Sequence, residues 1–113
     1  MKNYDLEDRT KEFSYEIINL CKKLPFSIVN KRLIDQLIRS ATSIGANYRE
    51  ANESDTKRDF KNKIRISKKE ARETIYWLEL IINSNASFNK EIYILLDEST
   101  QLMKILASIY IKS

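Results

Sequence analysis

LIDQLIRSATSIGANYREA, running from Leu33 to Ala51, places Leu33, Leu37, Ala41, Ile44, Tyr48 and Ala51 at steps of four and three, which is the repeat of one face of a long α-helix. A second stripe, Gln36, Ser40, Ser43, Asn47 and Glu50, keeps the same rhythm one position earlier. Ala41, Thr42, Gly45 and Ala46 sit between the two, and side chains this small let other backbones approach. A helix with an apolar stripe beside a small, polar one is expected to pack on more than one side. Gly45 inside such a helix costs about 1 kcal/mol against Ala, so close approach of another helix at its level is the expected reason for it.

Working outward, the same periodicity recurs three more times. Before this helix, Asp5 suits an N-cap, Glu7 and Asp8 suit the positive end of a helix dipole, and Phe13, Ile17, Leu20 or Cys21, and Leu24 form a stripe. Lys22 and Lys23 complete the last turn and Pro25 ends it. After it, Asn52 to Asp55 reads as a polar turn, with Ser54 or Asp55 as the next N-cap. Phe60, Ile64, Ser67, Ala71, Thr74 or Ile75, Leu78 and Ile82 carry a third helix, which the run from Asn83 to Ser87 closes. Ile92, Leu95 or Leu96, Ser99, Leu102 or Met103, Leu106, and Ile109 or Tyr110 carry a fourth, with Ile94, Ile105 and Ile111 widening its apolar surface.

Helices over about 6–24, 30–53, 56–83 and 88–111, joined by short connections, predict an all-α protein with one domain over 1–113. Its form is an antiparallel up-down-up-down four-helix bundle. A single Gly and a single Pro in 113 residues leave too few turn formers for an all-β fold. No apolar run reaches the ~18 residues of a membrane span and the first ten residues lack a signal-peptide core. The lone Cys21 fits a reducing compartment. A cytoplasmic protein without a membrane partner is expected.

Catalytic arrangements are scarce. With no histidine there is no Ser-His or Cys-His pair and no Glu-x-x-His metal motif. One cysteine cannot build a thiolate zinc site within a chain, and one glycine cannot form a phosphate loop. Glu70 and Glu73 share a helical face, but Lys69, Arg72, Arg39 and Arg49 are at hand to pair with them. The expectation is no enzyme, no metal and no cofactor.

The basic segment carries more. Lys57 to Arg72 holds eight bases against two acids, a net +6, beside +4 for the whole chain. Lys57, Lys61, Arg65, Lys68 and Arg72 fall at steps of four, four, three and four, one cationic stripe that could follow a phosphate backbone without reading bases. The plain alternative is a solvated lysine-rich face. Tyr76 and Trp77 could stack bases, but their apolar neighbours Ile75, Leu78 and Leu80 favour packing within the bundle or between subunits. Gln36, Ser40, Ser43 and Asn47, with Gly45 beside them, are a candidate helix or subunit interface. The stripe they form with Glu50 reads either as a ligand groove or as a hydrogen-bonded network against another helix, and the network is the expectation.

QLIRSATSIGANYREA (Gln36–Ala51), DFKNKIRISKKEARETIYWLELI (Asp59–Ile81) and the opening YDLEDRTKEF, with Leu24–Pro25 after it, resemble the small bacterial proteins first noticed as products of intervening sequences in 23S ribosomal RNA genes. The resemblance covers nearly the whole chain. It implies an antiparallel four-helix bundle and ring-shaped homopentamers, and a fold similar to the accessory proteins of diversity-generating retroelements, which work with a reverse transcriptase and RNA. It brings no activity and no catalytic residues. The expected function is a non-enzymatic, oligomeric bundle that binds RNA or another nucleic acid through its basic face. A structural or adaptor protein recruiting a protein partner is the rival, and a bundle with a small ligand in its core comes third.

Overall fold

The computed structural model describes residues 5–113 and contains four helices, α1 (Leu6–Lys23), α2 (Ile28–Asn52), α3 (Lys57–Ser84) and α4 (Asn89–Lys112). A single 3₁₀ turn, Ala86–Phe88, leads into α4. Each helix packs on its neighbours in the cycle α1–α2–α3–α4, with α2–α3 and α3–α4 the broadest seams and α1–α4 the narrowest. This is the up-down-up-down bundle. Among the described residues there is no strand, and no helix is long and apolar enough to cross a membrane.

Local chemistry sets the ends. Asp5 Oδ1 accepts from Glu7 N at 3.0 Å, Ser27 Oγ from Asn30 N at 2.9 Å and Thr56 Oγ1 from Asp59 N at 3.0 Å, each satisfying an N–H the helix itself leaves over. α2 therefore begins two residues before the expected Asn30. Neither Ser54 nor Asp55 caps α3. The Ser54 hydroxyl donates back to Glu50 O at 3.1 Å and closes α2 instead.

The core is the predicted set of stripes. Phe13, Ile17 and Leu20 of α1, Leu37, Ala41 and Ile44 of α2, Ile64, Ala71, Leu78 and Ile81 of α3, and Ile92, Leu102 and Leu106 of α4 are buried. On α3 the buried residue near the end is Ile81, and the expected Ile82 is only half-buried. Between the broad seams, small hydroxyl residues bond across helices. Ser67 Oγ donates to Ile44 O at 2.7 Å, Thr74 Oγ1 to Ser40 Oγ at 2.9 Å and Ser99 Oγ to Ala71 O at 3.2 Å. Each buried hydroxyl thus has an acceptor, and the short side chains keep the backbones close.

At the end of the bundle where α1 turns into α2 and α3 gives way to α4, Asn30 and Asn85 are both buried and exchange amide hydrogen bonds. Asn30 Nδ2 donates to Asn85 Oδ1 at 3.0 Å and Asn85 Nδ2 to Asn30 Oδ1 at 2.9 Å. Their remaining N–H groups go to Pro25 O at 2.8 Å and Ile81 O at 2.9 Å. One polar knot ties both connections at that end together.

Gly45 has ordinary helical geometry, because no described residue has a positive φ. Its role is space. A Cβ at this position would lie 2.8 Å from Thr10 Oγ1 and 3.1 Å from Thr10 Cβ, and Thr10 on α1 is itself buried. Gly45→Leu is expected to destabilise the protein by about 1–3 kcal/mol, the usual cost of overpacking a close contact. Chemical denaturation would measure it, and a midpoint equal to the parent's would show that α1 yields without cost.

Candidate nucleic-acid interface

The five stripe residues all lie on α3, and Lys61 and Lys68 face Tyr110 in the last turn of α4. Lys57, Arg65 and Arg72 are exposed, Lys61 and Lys68 half-buried. From Lys57 to Arg72 the helix rises ~22 Å at 1.5 Å per residue. Among the described residues none of the five lies within ion-pair distance of a carboxylate, while several cations off the stripe do. Lys63 meets Glu50 at 2.8 Å, Arg39 meets Glu70 at 3.3 Å and Glu73 at 2.9 Å, and Arg49 meets Glu7 at 3.6 Å. The carboxylates Glu70 and Glu73, three apart on α3, are therefore partners of one arginine on α2.

Tyr110, near the end of α4, lies beside the stripe. The Lys61 ammonium stands 4.6 Å from its ring centroid and the Lys68 ammonium 5.1 Å, two weak cation–π contacts. Arg65 Nη2 donates to Asn62 Oδ1 at 3.0 Å. Beside them opens a groove lined by Thr56, Arg58, Asp59, Lys61, Asn62, Arg65 and Tyr110. Periodicity had placed Tyr110 only as a possible member of an apolar stripe, and nothing in the sequence set it opposite Lys61 and Lys68.

Acids gather elsewhere. Glu12, Glu16, Asp97 and Glu98 line the narrow α1–α4 seam, which Arg9 bridges by donating Nε and Nη2 to Glu98 at 2.7 and 2.8 Å. Burial, with Glu12 and Glu98 nearby, raises the Glu16 carboxyl above the usual carboxylate range. The stripe on α3 and the crowded carboxylates of the α1–α4 seam thus lie on different parts of the bundle. Cys21 is half-buried, and burial pushes its thiol up to about 11, so it stays protonated and a poor nucleophile at neutral pH. Among the described residues no three metal-ligating side chains converge.

The second candidate set is dispersed. Gln36 is exposed, while Ser43 and Asn47 turn back on their own helix, donating to Arg39 O at 2.6 Å and Ser43 O at 2.9 Å. Ser40 reaches another helix through Thr74, and Glu50 at the far end of the stripe pairs with Lys63 of α3. The expected continuous network does not form, because two of its members satisfy themselves within α2 and one faces solvent. Trp77 packs half-buried against the core, and its indole N–H is enclosed without an acceptor. Tyr76 stands 54% exposed, meeting Trp77 edge-on at 5.1 Å between centroids. It does not pack inside the bundle.

Comparison with known proteins follows the fold. The family model described as 23S rRNA-intervening sequence protein matches residues 2–108. A crystal structure from Bacteroides thetaiotaomicron, described as a protein with unknown function from the S23 ribosomal protein family, is 37% identical with a TM-score of 0.83. The alignment covers 94% of this chain and 98% of that one. No curated protein matches.

Proposed function

The chain belongs to the 23S rRNA-intervening sequence protein family, and from that premise we propose that it is a non-enzymatic RNA-binding bundle that holds phosphates along α3. The observation that carries this reading is the stripe Lys57, Lys61, Arg65, Lys68, Arg72, five cations in one row on α3 with no carboxylate within ion-pair distance among the described residues. Such a row suits binding by charge and position, without base readout. A protein-recruiting adaptor is the rival reading, supported by the exposed apolar side chains Phe26, Ile28, Val29, Tyr93 and Ile94.

The same exposed apolar groups support self-association, and the number five rests on the resemblance to ring-forming relatives. The absence of a spanning helix among the described residues and the single cysteine fit action in the cytoplasm. One set of measurements tests the proposal. RNA titrated against the protein should bind more weakly as salt rises, and light scattering should report a mass several times that of a protomer. Absence of RNA binding at low salt would overturn the first part, and a monomer mass independent of concentration the second.

A further inference from the structure

The groove beside Tyr110 has features that a run of phosphates alone would not require. Arg58, Lys61 and Arg65 line it, but so do an aromatic ring, the amide of Asn62 and the carboxylate of Asp59. Asp59 is exposed and forms no ion pair among the described residues, so it repels phosphate and accepts from N–H or amino groups. A ligand suited to the whole groove carries negative charge, a flat π-face and hydrogen-bond donors together. Those are the attributes of a nucleotide whose base is unpaired, because a base within a duplex keeps its faces stacked and its donors engaged.

We propose that the groove between the start of α3 and the end of α4 binds single-stranded RNA, with one base stacked on Tyr110 and the flanking phosphates on Arg58, Lys61 and Arg65. This deepens the RNA-binding reading of α3 and rests on it. In the free protein the Lys61 and Lys68 ammoniums occupy the neighbourhood of the ring. Both are flexible and lie on the phosphate-binding stripe, so they can move from ring to phosphate as a base takes their place on the ring.

The test compares a uridine-rich single-stranded RNA with a duplex RNA of equal length, on the wild-type protein and on Tyr110→Phe and Tyr110→Leu. Wild type should prefer the single strand. Tyr110→Phe keeps the π-face and should bind like the parent, whereas Tyr110→Leu should lose roughly fivefold to a hundredfold on the single strand, the range for one stacked base. Tyr110→Leu should also leave duplex affinity and the salt dependence on both RNAs unchanged, because no phosphate contact is lost. An unchanged Tyr110→Leu affinity for the single strand would overturn the stacking while leaving phosphate binding along α3 standing. A parallel loss on both RNAs with weaker salt dependence would also overturn it, reducing Tyr110 to a residue that positions lysines. Absence of wild-type binding to either RNA would remove both readings.

Discussion

Asn85→Leu is expected to lower stability by about 2–4 kcal/mol, since it orphans two buried acceptors at about 1–2 kcal/mol each. Asn30 Oδ1 loses the Asn85 Nδ2 donor, and Ile81 O, a carbonyl at the end of α3, loses its cap. Asn30 Nδ2 also gives up Asn85 Oδ1 and keeps only Pro25 O. For a chain of this size the melting temperature should fall by roughly 8–17 °C, measured by the helical circular dichroism signal at one fixed protomer concentration. The double variant Asn30→Leu with Asn85→Leu should lose less than the two single losses combined, because neither amide is then left facing a partner that cannot answer it. If Asn85→Leu melts with the parent, the buried amide pair contributes nothing and the two connections are held by apolar packing alone.

That pair also marks the limit of what the sequence could tell. Stripes such as Phe13–Ile17–Leu20 and Ile92–Leu95–Ser99–Leu102 are periodic within one helix, so local spacing was enough to identify the faces that became the core. Asn30 and Asn85 lie 55 residues apart, and an asparagine at a helix end reads by default as a turn or cap. Nothing local reports that two such ends meet. Thr56 was missed as the α3 cap for a smaller reason. Ser54, Asp55 and Thr56 are all competent caps, and the choice depends on where α2 stops. Tyr76 and Trp77 are adjacent and 100° apart on a helix, so they could not both face the core, and only tertiary contact decides that Trp77 does. The cationic stripe was legible as a row of charges. Its closeness to Tyr110, which gives the row a groove and an aromatic ring beside two ammoniums, depends on α4 returning beside α3.

The largest functional effect should come from Lys61→Gln combined with Arg65→Gln. Both residues line the groove and sit mid-stripe, and their recorded side-chain contacts are weak ones, the Tyr110 ring for Lys61 and Asn62 within the same helix for Arg65. The cost in stability should stay within about 1 kcal/mol, the worth of an exposed cation–π contact, so the helical signal should be unchanged. Binding should not be. Each neutralised phosphate contributes a log–log salt slope of about −0.7 on single strands, so losing two contacts should flatten the slope by roughly one to two units. If protomers assemble as proposed, the loss repeats in each one that touches the strand, and the combined affinity falls by more than the single-site factor. A variant of equal charge, Lys11→Gln with Lys22→Gln, removes two exposed cations from α1, which does not pack on α3. It separates position from net charge. Should the two double variants weaken RNA binding equally, with equal slopes, only the overall charge would matter and the α3 stripe would be an ordinary solvated face. The adaptor reading, built on the exposed Phe26, Tyr93 and Ile94, would then become the better account of the protein.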